Sequence, residues 1–78
     1  MTDRFGHEFK IGADVEMPEP NEMDTHNQSF IGVVVDCRNG NAVVSDCEGD
    51  CFDIEPDRLS VIALESHNTY KYLDHQKN

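Results

Sequence analysis

The sequence contains no tryptophan, and only six of its 78 residues are Lys or Arg. Each shortage excludes something. Contact with nucleic acid normally needs Lys and Arg to displace the counterions condensed on phosphate, so direct nucleic-acid binding is not expected. Anionic membrane surfaces repel the chain for the same reason. No apolar run approaches the roughly 18 residues that a membrane-spanning helix needs, and residues 1–10 lack the apolar segment of a secretory signal. The three cysteines, Cys37, Cys47 and Cys51, are odd in number and irregular in spacing, a poor basis for a disulfide framework. These features together read as a cytoplasmic protein with reduced thiols. Also missing are a Gly-rich phosphate loop, a His-Glu-x-x-His helix and a Gly-x-Ser-x-Gly elbow. A single domain of this length buries only about 60% of its unfolded surface, which leaves little volume for a substrate chamber. The chain therefore reads as one non-catalytic domain, and no cofactor is expected.

What the chain has in excess is negative charge. Sixteen Asp and Glu against six Lys and Arg give a formal net charge of −10. Between residues 11 and 57 twelve acids face a single base, Arg38, so that stretch alone carries −11. Such a field attracts basic proteins, cations, or proteins that themselves bind nucleic acid. Acidic surface also serves plain solubility.

The hydrophobic pattern indicates strands throughout. Residues 1–8 are polar and are expected to be a flexible N-terminus. Phe9, Ile11, Ala13, Val15 and Met17 then alternate with polar or small residues, the period of a half-buried strand, which Pro18 and Pro20 end. Residues 19–28 hold one apolar side chain, Met23, and read as a long loop, a common place for a working surface. Residues 30–37 are nearly all apolar and β-branched, as in a central strand covered on both faces or strongly curved, with Gly32 suited to a bend or bulge. Asn39-Gly40 marks a type I′ turn. Residues 42–46 and 51–55 return as strands around a second turn at Glu48-Gly49-Asp50, so three strands form a meander. Pro56-Asp57-Arg58 reads as one 3₁₀ turn, and Leu59, Val61, Ile62 and Leu64 supply a closing strand. Residues 65–78 form a polar tail that Tyr70, Tyr72 and Leu73 fit equally to a helix, a strand or disorder.

This order of elements resembles the SH3-like β-barrel, the layout shared by SH3, Tudor and KOW-type domains. The residues that carry the resemblance are Phe9-Lys-Ile-Gly-Ala-Asp-Val15, Phe30-x-Gly-x-Val34, Asn39-Gly40 and Phe52-x-Ile-x-Pro-x-Arg-Leu59, covering residues 9–64. The resemblance implies an all-β fold, a small five-stranded barrel. The functional signatures of the group are missing. SH3 domains line a proline-binding groove with Tyr and Trp, and Tudor readers need an aromatic cage. KOW-type binders are basic, whereas this chain is acidic. Phe9, Phe30 and Phe52 are each expected in the core. Fold does not fix function.

Three function classes follow. The leading expectation is a protein-binding adaptor or regulatory module for a basic partner. Its contact surface combines the 19–28 loop with the acidic hairpin 46–57, through Asp24, His26, Glu48, Asp50, Asp53 and Glu55. A second class is a nucleic-acid mimic that occupies the basic cleft of a DNA- or RNA-binding protein. A third is a small metal-binding domain. Cys37, Cys47 and Cys51 with one histidine would make a tetrahedral zinc shell, but short paired spacing is missing, and free cysteines are common strand residues. The acids around Asp46, Glu48 and Asp50 offer oxygen ligands for a hard cation. Their glycine, however, stands at the fourth place and not the sixth that an EF-hand loop requires. His7, His26, His67 and His75 sit among polar neighbours and each reads as exposed.

Overall fold

The computed structural model describes residues 1–65; the polar tail falls outside the described residues apart from Glu65. Five strands are present: β1 Asp14–Met17, β2 Phe30–Arg38, β3 Asn41–Ser45, β4 Cys51–Ile54 and β5 Ser60–Ala63. All pairings are antiparallel, in the order β4-β3-β2-β1-β5. The order ends at β4 and β5, so the hydrogen-bonded sheet keeps two edges and does not close on itself. The 3₁₀ turn Pro56–Arg58 carries the chain from one edge strand to the other.

Local sequence explains most of these boundaries. Asn39 and Gly40 both hold positive φ, 53° and 82°. That is the backbone of a type I′ turn, whose twist suits a two-residue hairpin loop. At the second turn the Asp46 N–H donates to the Asp50 carbonyl at 2.9 Å, with Gly49 at φ 89°. β2 buries Gly32, Val33 and Val34 in succession, as expected of a strand covered on both faces. The ladder between β2 and β3 shifts register between Val34 and Asp36. Gly32 is therefore not the bulge. It is small because β3 passes very close: a Cβ there would lie 2.5 Å from the Ser45 carbonyl oxygen and 2.7 Å from Val44 Cγ1.

The first strand is shorter than its alternation suggests. Only residues 14–17 are extended; Gly12 takes φ 104°, and Ile11 turns outward, 55% exposed. Alternation over residues 9–13 thus marks burial of Phe9 and Ala13, not a ladder. The core is Phe9, Ala13, Val15, Met17, Val34, Ala42, Val44, Ile54 and Leu59. Phe30 and Phe52, expected inside it, are only half-buried at its margin.

Residues 1–8, expected to be flexible, instead carry a hydrogen-bonded loop. Thr2 bridges to Glu8, the Phe9 N–H donates to the Met1 carbonyl at 2.8 Å, and the Arg4 N–H donates to the Leu59 carbonyl at 2.9 Å. The buried Asp3 carboxylate is the centre of this loop. It accepts the N–H groups of Phe5, His7 and Val61 at 2.9, 2.8 and 2.8 Å, tying the N-terminus to β5. Burial pushes the Asp3 carboxyl up, but these three N–H donors together outweigh it and hold the group below its ordinary value of 3.8. A polar segment reads as loose only when its partners are unknown; here one carboxylate organises it.

Substitution tests the close strand approach. Gly32→Val is expected to cost about 1–3 kcal/mol through overpacking, and Leu59→Ala about 2–5 kcal/mol through the cavity it leaves. Urea denaturation measures both, and a Gly32→Val variant as stable as wild type would contradict the packing at Ser45.

Candidate functional site

The loop between β1 and β2 is shaped by its own short polar side chains. The Asn21 N–H donates to Asp24 Oδ2 at 2.9 Å, the Met23 N–H donates to Asn21 Oδ1 at 3.0 Å, and Ser29 Oγ donates to the Met17 carbonyl at 2.7 Å. Asn and Asp readily close turns in this way. The loop is then fastened across the molecule. Arg58 of the 3₁₀ turn grips Asp24 with both ends of its guanidinium, Nη1 to Oδ1 and Nη2 to Oδ2, each at 2.8 Å. This is the two-pronged geometry that makes Arg–carboxylate pairs strong and directional. Arg58 is the largest influence on the Asp24 carboxyl, followed by the Asn21 N–H, and together they hold it far below 3.8. The same bond raises the Arg58 guanidinium.

Two residues beyond Asp24, His26 turns inward and is only 6% exposed. The expectation of an exposed histidine is thereby corrected. Its Nε2 lies 2.9 Å from the Pro18 carbonyl; since a carbonyl accepts, Nε2 carries the proton and donates. The ring packs edge-on against two phenylalanines, 6.1 Å from Phe30 and 6.0 Å from Phe52, which are themselves 5.6 Å apart. Such tilted and edge-to-face arrangements are the favoured ones for aromatic pairs. Phe30 opens β2 at the end of the loop, and Phe52 sits just after the second turn, opposite Val44.

The second turn brings the acids. Asp46 Oδ1 accepts the N–H groups of Glu48 and Asp50, both at 2.9 Å. Asp46, Glu48 and Asp50 each offer a carboxylate oxygen within 4.8 Å of the others. Loop and turn face one another across an open cleft of about 500 Å³, walled by His26, Phe30 and Phe52 and rimmed by Asp46, Glu48 and Asp50. No Lys or Arg is among its lining residues.

The structure thus brings together His26, Glu48 and Asp50 of the residues expected at a contact surface. Asp24 does not line the cleft; its carboxylate is taken up by Arg58 and holds the loop in place. Asp53 and Glu55 are exposed but lie outside the cleft, because alternation on β4 sends Phe52 and Ile54 toward the core side and Asp53 away from it. Glu55 lies 3.7 Å from Arg58 instead. Asp46 belongs to the acidic hairpin expected to make the contact, whereas Phe30 and Phe52 were expected in the core and not as site residues. The signal for the two rings was available: each is the aromatic residue nearest a loop at one end of a strand.

Among the described residues the cysteines do not converge with one another or with a histidine. All three are exposed. Cys37 pairs with Ala42 at one end of β3, whereas Cys47 follows its other end. The three strand steps from Ala42 to Ser45, at about 3.3 Å each, put roughly 10 Å between those ends of the ladder. Among the described residues the ligating groups that do converge are Asp46, Glu48 and Asp50. No protein-family model, curated protein or solved structure matches the chain.

The Asp24–Arg58 pair generates a pH dependence. A carboxyl whose value is lowered by folding contributes stability above its ordinary value and loses it as pH falls through the folded one. Asp24→Asn is therefore expected to melt lower than wild type at about pH 6, with the gap narrowing progressively as pH falls below about 4. Thermal melts of the two proteins across that range provide the check. A gap that is constant with pH would show the pair to be without weight.

Proposed function

We propose that the chain is a non-catalytic protein-binding module of SH3-like layout, which receives a basic segment of a partner protein in the cleft between the β1–β2 loop and the β3–β4 turn. One observation carries the reading. Two segments distant in sequence, 25–28 and 46–50, converge on a single open cleft with an aromatic floor, three carboxylates on its rim and no base in its lining. Charge of one sign around a concave surface raises the local concentration of the opposite charge and speeds encounter. The strand order supports the SH3-like layout, since β1 pairs with both β2 and β5 while β2, β3 and β4 form the meander. The mimic reading draws less support. Carboxylate oxygens within 4.8 Å of one another sit closer than successive phosphates along a strand, at about 6–7 Å (longer than the axial rise).

The test uses a defined probe. A peptide of about ten residues with alternating Gly and Arg is titrated into isotopically labelled protein, beside a Gly–Glu peptide of equal length. Amide shifts are expected at residues 25–28 and 46–52 with the basic peptide alone. They should fade as salt rises from ~0.05 M to ~0.5 M, where screening shortens to a few Å. Charge reversal at Glu48 and Asp50 should weaken binding at least about tenfold. Shifts scattered over the whole surface, or binding indifferent to salt and to charge reversal, would remove the proposal.

A further inference from the structure

Resting on the reading of the cleft as a docking site, we infer that its occupant is an arginine side chain, held flat against Phe30 and Phe52, and that the cleft discriminates against lysine. The acids alone would not distinguish the two cations, since a carboxylate rim attracts any positive charge. The floor does. Phe30, Phe52 and His26 meet at interplanar angles of 57°, 69° and 79° with centroids 5.6–6.1 Å apart. Rings inclined this steeply form a corner with faces on adjacent sides, not one flat plate. Phe30 and Phe52 line the opening and are half-buried, so part of each ring remains in reach of a ligand. A planar, delocalised and weakly hydrated guanidinium stacks on such faces, whereas an ammonium is a compact point charge that holds its water.

The hydrogen-bonding inventory points the same way. His26, more than nine-tenths buried and lining the cleft, spends its Nε2 proton on the Pro18 carbonyl. Asp46, Glu48 and Asp50 offer carboxylate oxygens that only accept. Asp46 Oδ1 already takes two backbone N–H groups, which fixes where its second oxygen stands. Carboxylates beside aromatic rings are the complement of a group with five N–H donors in one plane and no acceptor, which describes guanidinium. The volume, about 500 Å³, holds a side chain with part of its backbone, within the size range of ligand clefts.

Side-chain selectivity is measured with Gly–Arg and Gly–Lys peptides of identical length and charge. Wild type is expected to bind the arginine peptide about three- to tenfold tighter, the scale of a cation–π contact that is partly desolvated. Phe52→Leu keeps an apolar side chain and loses the π face. It should shrink the ratio clearly below the wild-type value, and an amide spectrum that keeps the wild-type dispersion shows that the variant is folded. An independent readout needs no variant: the δ-methylene protons of the bound arginine should move upfield in the ring currents of Phe30 and Phe52. Equal affinity for the two peptides, a ratio that survives Phe52→Leu, or δ-methylene protons that do not move would overturn the inference and leave an electrostatic docking site standing. Failure of both peptides to bind would remove the docking site and this inference together.

Discussion

Thirty-four residues separate Asp24 from Arg58, and the two-pronged bond between them is what gives the β1–β2 loop a fixed place. A twelve-residue connection between β1 and β2 costs chain entropy to order, and its own turn contacts at Asn21 and Asp24 span only three residues. Arg58 supplies the long-range anchor. It sits on the 3₁₀ turn between β4 and β5, at the joint where the chain passes from one edge of the sheet to the other. The pair is only partly exposed, 26% for Arg58 and 12% for Asp24, so water screens it less than it would an ion pair on the open surface. Within the loop so anchored, His26 turns inward, bonds the Pro18 carbonyl and meets Phe30 and Phe52.

The same arrangement shows how a chain with a large surplus of acid distributes its charge. The two acidic side chains that organise structure, Asp3 and Asp24, are satisfied by donors: three backbone N–H groups in one case, a guanidinium and one N–H in the other. Burial of a carboxylate is tolerable only on those terms. Asp46 is intermediate: one oxygen shapes its turn, and the residue also lines the cleft. Glu48 and Asp50 beside it are exposed and bond no base among the described residues. Carboxylates that build the fold are thus met by donors, whereas Asp46, Glu48 and Asp50 stand together at the cleft with no base in its lining. That contrast, more than the total of −10, motivates the proposed preference for a basic partner, and the inclined rings beneath the rim motivate the proposed preference for arginine.

Much of the sheet was legible because short-range physics sets it. β-branched residues in 30–37, the positive φ demanded at Asn39-Gly40, and proline at the start of the 3₁₀ turn are local constraints, and they gave strand order along the chain to within a residue or two. Alternation misled at residues 9–13, where Phe9 and Ala13 are buried but Ile11 between them turns outward next to the turn at Gly12. Gly32 was legible as a constrained position but not as to kind, because the carbonyl that forbids a side chain belongs to another strand. Of the candidate site, the loop and the acidic turn were visible as polar segments. The exposure assigned to His26 and the core position assigned to Phe30 and Phe52 were wrong for one reason: whether a ring faces inward or into a cleft depends on what the neighbouring loop brings to it.

By itself the sequence determined the class of secondary structure, the places where the chain turns, and the sign of its electrostatic field, since each depends on a residue and its near neighbours. The tertiary structure alone decided which acids are spent on internal bonds, that residues 1–8 are stitched to β5 through Asp3, and that segments 25–28 and 46–50 share a cleft. Those outcomes rest on contacts between residues tens of positions apart. A side chain's charge is written in the sequence, but its partner is chosen by the fold.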